Sequence, residues 1–186
     1  RLLEQSLEMF LSIPQHVNQQ PNLLRQICEV YRRYHFYEGV VILCLKCAEA
    51  ADPNGVGLVW FKEGKRPTDE NGKLAHDARM HIYEFIISVL DELLAGPNAA
   101  PAVEIDPLSG ATSRPPPVSA QDWEQFKART MKAALKSNDE LFHVTLYTWY
   151  LERGLADELT LVRCLHTFTR LKCLDSNFCT AENPFH

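Results

Sequence analysis

"SNDELFHVTLYTWYLERG" (137–154) is the stretch that decides the fold. Ser137-Asn138-Asp139-Glu140 reads as a capping box. In it the Ser137 hydroxyl accepts from the Glu140 N–H and the Glu140 side chain reaches back, which satisfies two donors that a helix start leaves open. Both acids then lie at the positive end of the helix dipole. Past them the chain turns apolar. Phe142, Leu146, Trp149 and Tyr150 fall on one stripe, and Leu141, Val144, Tyr147, Thr148 and Leu151 fill much of the remaining surface. A helix apolar nearly all round packs on two sides. Glu152 and Arg153 mark its polar exit, and Gly154 suits the left-handed turn that often ends a helix. Leu155-Ala156-Asp157 opens another helix at once, which predicts an antiparallel hairpin. His143 follows Asp139 and Glu140 by one turn, so an acid–imidazole contact is within reach. No nucleophile or third group accompanies that set, and the acids are read as helix starters.

The same pattern extends outward. Residues 1–13 place Leu3, Leu7, Phe10 and Leu11 on one helical stripe, and Pro14 ends that helix or sits just beyond it. Pro21 suits a first helical turn. The next helix carries Leu23, Leu24, Ile27, Val30, Tyr31 and Tyr34. "FYEGVVILCLKCAEAAD" (36–52) is apolar over more than half its circumference, through Val40, Val41, Cys44, Leu45, Cys47, Ala48 and Ala51. "DPNGVG" (52–57) is a stop, after which a polar loop is expected to about Lys73. A long helix over roughly 74–95 uses Met80, Ile82, Tyr83, Ile86, Ile87, Leu90, Leu93 and Leu94, and closes at Gly96-Pro97. Residues 96–118 are rich in Pro, Ala, Ser and Gly, and "SRPPPVS" favours extended polyproline geometry. This stretch is read as a flexible excursion, a solvated linker more than a docking motif. Ser119 and Asp122 cap a further helix with Trp123, Phe126, Met131, Ala134 and Leu135 inward. Helix follows helix with no strand alternation and no fixed sequence period. The expected fold is therefore all-α, an irregular α-solenoid of stacked antiparallel helix pairs.

Bulk properties narrow the function. The net charge is −5, which argues against nucleic acid or an anionic membrane as a direct partner. Arg25, Arg32 and Arg33 cluster, as on an ordinary solvated face. The chain opens on Arg1, from which a fragment or processed product is expected, and its first turn lacks the apolar run of a signal peptide. No stretch reaches the ~18 apolar residues of a membrane span. The cysteines, six in number, are scattered, and a chain this rich in apolar helices needs no disulfide framework; a reducing compartment is expected.

Two sets of side chains have the right types for chemistry. Cys44-x-x-Cys47 matches a redox pair, but it lies mid-helix among apolar neighbours and not at a helix N-terminus. Cys164, His166, Cys173 and Cys179 are zinc-ligand types, yet no two of these cysteines have close ligand spacing. Both are weak candidates. Nucleotide-binding, metalloprotease and serine-hydrolase signatures are lacking. No catalytic residue and no cofactor are expected. The residues singled out are structural: Ser137, Glu140, Phe142, Leu146, Trp149 and Gly154.

Three pieces in order carry a resemblance. Tyr37-Glu38-Gly39-Val40-Val41 heads a helix that ends in Asp52-Pro53-x-Gly55; a long helix and a proline-rich insertion follow; then comes "SNDELFHVTLYTWYLERGLADELT" (137–160). This order is similar to the C-terminal helical region of the large inner-ring scaffold nucleoporins, the family of the vertebrate 155-kDa nucleoporin and its fungal counterparts. The resemblance covers about residues 1–162. It implies a slice of a long α-solenoid, structural and not enzymatic. Such a slice sits in the nuclear pore complex at the nuclear envelope, supports nucleocytoplasmic transport and contacts other scaffold nucleoporins. The family's N-terminal propeller is not in this stretch, so no direct membrane contact is carried over. Residues 163–186 depart from the pattern and read as an atypical tail. Uncapped solenoid ends also predict self-association. The alternatives are a helical-repeat adaptor outside the pore, such as a vesicle-coat component, and a thiol- or zinc-dependent module.

Overall fold

The computed structural model describes residues 1–20, 22–97 and 118–170. Pro21, most of the proline-rich stretch (98–117) and everything after Arg170, including Cys173 and Cys179, lie outside them. Among the described residues the chain is helical, with no strand. The helices are α1 (Leu2–Ser12), α2 (Pro14–Gln19), α3 (Leu23–Arg33), α4 (Tyr37–Ala51), α5 (Val56–Lys62), α6 (Glu70–Ala95), α7 (Ala120–Leu135), α8 (Glu140–Glu152) and α9 (Glu158–Arg170).

Local chemistry sets the boundaries. Pro14 takes the first position of α2, where its missing N–H costs nothing. α3, α5 and α8 each end in the same reverse turn, whose left-handed residue is His35, Gly64 or Gly154. The residue after it donates back to the last turn: Phe36 N–H to the Tyr31 carbonyl at 2.8 Å, Lys65 to Trp60 at 3.0 Å, and Leu155 to Tyr150 at 3.0 Å. The last of these builds the α8–α9 hairpin. At the head of α7, the Ser119 hydroxyl accepts from the Asp122 N–H at 3.1 Å.

Two expectations are corrected. The loop expected to run from the "DPNGVG" stop to Lys73 contains α5, and α6 begins earlier, at Glu70. α5 is too short for its periodicity to show in sequence; Asp52 starts it by accepting from the Val56 and Gly57 N–H groups at 2.7 and 3.0 Å. Gly57 lets α5 lie directly on α6, for a Cβ there would stand 2.6 Å from the His76 nitrogen. Val30 and Tyr34, expected on the inner stripe of α3, are exposed.

Polar contacts give the helix directions. Asp52, just past the end of α4, meets Arg79 in the first half of α6, while Tyr37 at the start of α4 meets Glu92 near the end of α6. α4 and α6 are therefore antiparallel. Trp123 at the start of α7 donates to the Leu93 carbonyl near the end of α6, so α7 turns back again. α8 runs alongside α6, with Asp139 near Tyr83 and Trp149 near Asp91. Direction thus alternates through α4, α6, α7 and α8. The core follows the alternation: α4 buries Tyr37, Val40, Val41, Leu43, Cys44 and Cys47, and α6 buries Ile82, Tyr83, Ile86, Val89, Leu90 and Leu93. α9 continues unbroken across residue 162, so the tail expected from 163 begins inside a helix.

Candidate functional site

The densest polar site is built on Arg79, on the inner face of α6. Its Nη1 reaches Asp52 Oδ2 at 3.2 Å, its Nη2 reaches Asp139 Oδ2 at 2.7 Å, and its Nε donates to the Tyr83 hydroxyl at 2.9 Å. The Tyr83 hydroxyl in turn donates to Asp139 Oδ2. Each carboxylate also caps the start of a helix: Asp52 accepts from the first turn of α5, and Asp139 Oδ1 accepts from the Phe142 N–H at 3.1 Å. One guanidinium therefore joins the end of α4, the start of α5, the middle of α6 and the start of α8. Burial works against the Arg79 charge, but Tyr83 and Asp139 beside it outweigh that and hold the guanidinium protonated. Burial, then the Asp139 charge, pushes the Tyr83 phenol up, so it stays a neutral donor.

Two further junctions lie toward the other end of α6. Arg32 Nη2 meets Glu92 Oε2 at 2.6 Å, and the Tyr37 hydroxyl donates to Glu92 Oε1 at 2.9 Å. His35 shares that hydroxyl at 3.2 Å and stacks on Phe126 at a centroid distance of 5.6 Å. On the α8 side, the Trp149 indole N–H and Arg153 Nε both donate to Asp91 Oδ1, at 2.9 and 2.6 Å. Arg153 also lies 5.0 Å over the Trp149 ring. These groups hold helices to helices.

The residues singled out in sequence have these places. Phe142, Leu146 and Trp149 are buried, at 0, 0 and 5% exposure, between α6 and its neighbours. Gly154 adopts φ +63 in the hairpin turn. The capping box is corrected. Asp139, not Ser137, caps α8; the Ser137 hydroxyl accepts from the Asp139 N–H at 3.0 Å, one step earlier. Glu140 meets Lys62 of α5 at 2.7 Å. The reason is tertiary: Arg79 draws Asp139 inward, where a charged acceptor serves the helix start and the ion pair together. Asp139 thus turns to Arg79 and not to His143. The Cys44 sulfur lies 3.7 Å from that of Cys28 on α3. Burial pushes the Cys44 thiol well up and Cys47 to about 12, which keeps both from the thiolate form that redox exchange needs. Cys164 packs on Tyr147 and His166 is exposed; the other two residues of the zinc set are outside the described region. Among the described residues no cluster of three or more His, Cys, Asp or Glu is placed to hold a metal, and no helix is long and apolar enough to cross a membrane.

Arg79 is absent from the residues that the sequence marks on this helix, and Tyr83 is there only as part of its apolar stripe, although a signal was present. Arg79 sits on the helical stripe that continues through Tyr83, Ile86, Leu90 and Leu93, where a cation must find buried partners.

His143 supplies a pH test. Its Nε2 is buried without a hydrogen-bond partner among the described residues. Burial lowers its pKa, though Asp139 and Glu140 pull the other way. The unfolded chain then binds a proton that the folded chain refuses, so this contribution is full above the unfolded pKa of about 6.5 and is lost as pH falls toward the lower folded value. Between about pH 7.5 and about pH 5.5 the urea midpoint is expected to fall further in the parent than in His143→Gln. Equal falls in both would count against a neutral His143.

The fold and the site define a scaffold-type protein: an α-solenoid segment whose buried charges lock successive helices together. Comparison with known proteins gives the family. Residues 1–162 match the family described as non-repetitive/WGA-negative nucleoporin C-terminal, and the chain belongs to it. It is 31% identical over 183 residues to nucleoporin NUP170 of Chaetomium thermophilum, covering 97% of this chain and 12% of that protein. It is 29% identical over 143 residues to nuclear pore complex protein Nup154 of Drosophila melanogaster, covering 73% of this chain and 10% of that protein. The chain thus spans about a tenth of the length of these relatives. The fold matches the crystal structure of the Chaetomium thermophilum Nup170 CTD–Nup145N complex with a TM-score of 0.70 and 28% identity, over 93% of this chain and 30% of that one.

Proposed function

We propose that this chain is part of an inner-ring scaffold of the nuclear pore complex, acting at the nuclear envelope by protein–protein contact and supporting nucleocytoplasmic transport. The observation that carries the reading is the family match over residues 1–162 on a stack whose buried ions brace helices. The protein is not an enzyme in this reading: Asp139, Glu140 and the thiols of α4 serve the fold. Its partners are other scaffold nucleoporins, docked on the faces and ends of the stack. A solved complex of a similar domain with another nucleoporin supports this. Neither nucleic acid nor membrane is contacted directly by this segment. The solenoid segment is residues 1–162, and 163–186 are read as an atypical tail that opens inside α9.

The test uses the full-length protein that carries this segment. A fluorescent fusion at native level is expected at the nuclear rim in a punctate pattern, and its purification is expected to bring scaffold nucleoporins in stable ratio. Diffuse cytoplasmic signal, or enrichment on vesicle coats, would overturn the reading in favour of an adaptor outside the pore.

A further inference from the structure

Asparagine stands directly before glycine twice in the chain, at Asn54-Gly55 and Asn71-Gly72. The fold holds the two pairs differently. Asn54 is exposed at the α4–α5 corner, in the turn Asp52-Pro53-Asn54-Gly55, which the Gly55 N–H closes onto the Asp52 carbonyl at 3.1 Å. Gly55 has φ +66, and among the described residues no atom comes within 4 Å of where its Cβ would stand. Asn71 is also exposed, but it lies in the first turn of α6. The Gly72 N–H is held by Asp69 Oδ1 at 2.9 Å, and a Cβ on Gly72 would stand 2.5 Å from both Asp69 Oδ2 and the Trp60 Cβ.

We propose that Asn54 is a site of spontaneous deamidation and isoaspartate formation, with water as the co-reactant, and that the fold spares Asn71. The Gly55 amide nitrogen, freed from its turn hydrogen bond, attacks the Asn54 side-chain carbonyl carbon. A C–N bond forms there, the bond to Nδ2 breaks, and ammonia leaves with the proton that Gly55 gives up. Glycine speeds this step because no Cβ shields its nitrogen and its backbone turns freely. Water then opens the cyclic imide at either carbonyl. Opening at the side-chain carbonyl gives aspartate. Opening at the main-chain carbonyl gives isoaspartate, whose backbone runs through the side-chain methylene. At Asn71 the same attack has to break the cap of a long helix and turn a packed glycine, so the opening it needs is rarer.

Isoaspartate at this corner has a structural consequence. Asp52 starts α5 by accepting from the Val56 and Gly57 N–H groups, and it also meets Arg79. An extra main-chain carbon between Asp52 and Val56 changes the spacing on which that cap depends. The start of α5 then loosens, whereas plain aspartate leaves the spacing intact.

The inference goes beyond the pore reading and does not rest on it. The test incubates the full chain, folded, at neutral and mildly alkaline pH. Peptide mass spectrometry follows the conversion, and methyl transfer from S-adenosylmethionine scores isoaspartate. Asn54 is expected to gain the acid mass roughly tenfold or more faster than Asn71. The rate is expected to rise with pH, because the attacking nitrogen must lose its proton. In urea the two asparagines are expected to convert at similar rates, which assigns the difference to the fold. Asn54→Gln is expected to remove the signal at this position, since its longer side chain closes a less favourable ring. Amide exchange at Val56 and Gly57 is expected to be faster in the aged chain than in the fresh one, with Asn54→Asp close to the parent. Equal rates at the two asparagines in the folded chain, or a faster Asn71, would overturn the proposal. Isoaspartate at 54 with unchanged exchange at Val56 and Gly57 would overturn its structural consequence.

Discussion

Arg79→Met is expected to lower the folding free energy by about 3–5 kcal/mol, the cost of removing one partner from a buried ion network. The side chain is 9% exposed, and its partners Asp52 and Asp139 are 2 and 11% exposed, so both carboxylates would be left with little water. Their backbone donors remain, but those are amides in the first turns of α5 and α8 and do not neutralise two charges. The loss is therefore expected to reach several elements, fraying the α5 and α8 starts before the core of α4 and α6. Urea unfolding measures the total, and amide hydrogen exchange at Val56, Gly57 and Phe142 locates it. Adding Asp52→Asn and Asp139→Asn to Arg79→Met is expected to recover much of the loss, since asparagine still accepts from those amides without a charge. A single-variant loss below about 1 kcal/mol would mean that water reaches the site and that the junction does not brace the stack.

Trp149→Ala is expected to cost about 3–5 kcal/mol. The indole is 5% exposed, gives its N–H to Asp91, meets Tyr150 edge-on and lies under Arg153. Truncation opens a cavity between α6 and α8 and removes the platform for Arg153. Trp149→Phe is expected to cost clearly less, because most of the apolar volume stays while Arg153 still satisfies Asp91 at 2.6 and 2.9 Å. The comparison of urea midpoints separates packing from the hydrogen bond. Equal losses for the two variants would assign the effect to the indole N–H.

Local chemistry made much of this legible. α4 and α8 are apolar nearly all round, and such a helix has to be covered on two sides. That single inference carries the stacked architecture. Gly154 marks the α8–α9 corner because a left-handed residue there closes the reverse turn. What stayed hidden has a physical cause in each case. α5 was missed because seven residues give too little periodicity, and because its start is held by the Asp52 side chain and packed on α6 through Gly57. The cap of α8 was misplaced because Ser137 and Asp139 are both good N-caps in isolation. The choice between them is made by Arg79, far away in the chain.

The sequence by itself determined the longer helices, most of their ends and the sidedness of α4 and α8, since these follow from residue spacing and from which backbone groups nearby side chains can satisfy; the short α2 and α5 did not show in it. Tertiary structure alone decided which acid caps α8 and where Arg79 puts its charge. Those outcomes depend on groups distant in sequence meeting in a place with little water, where the partner of a charge, and not its local propensity, sets its energy.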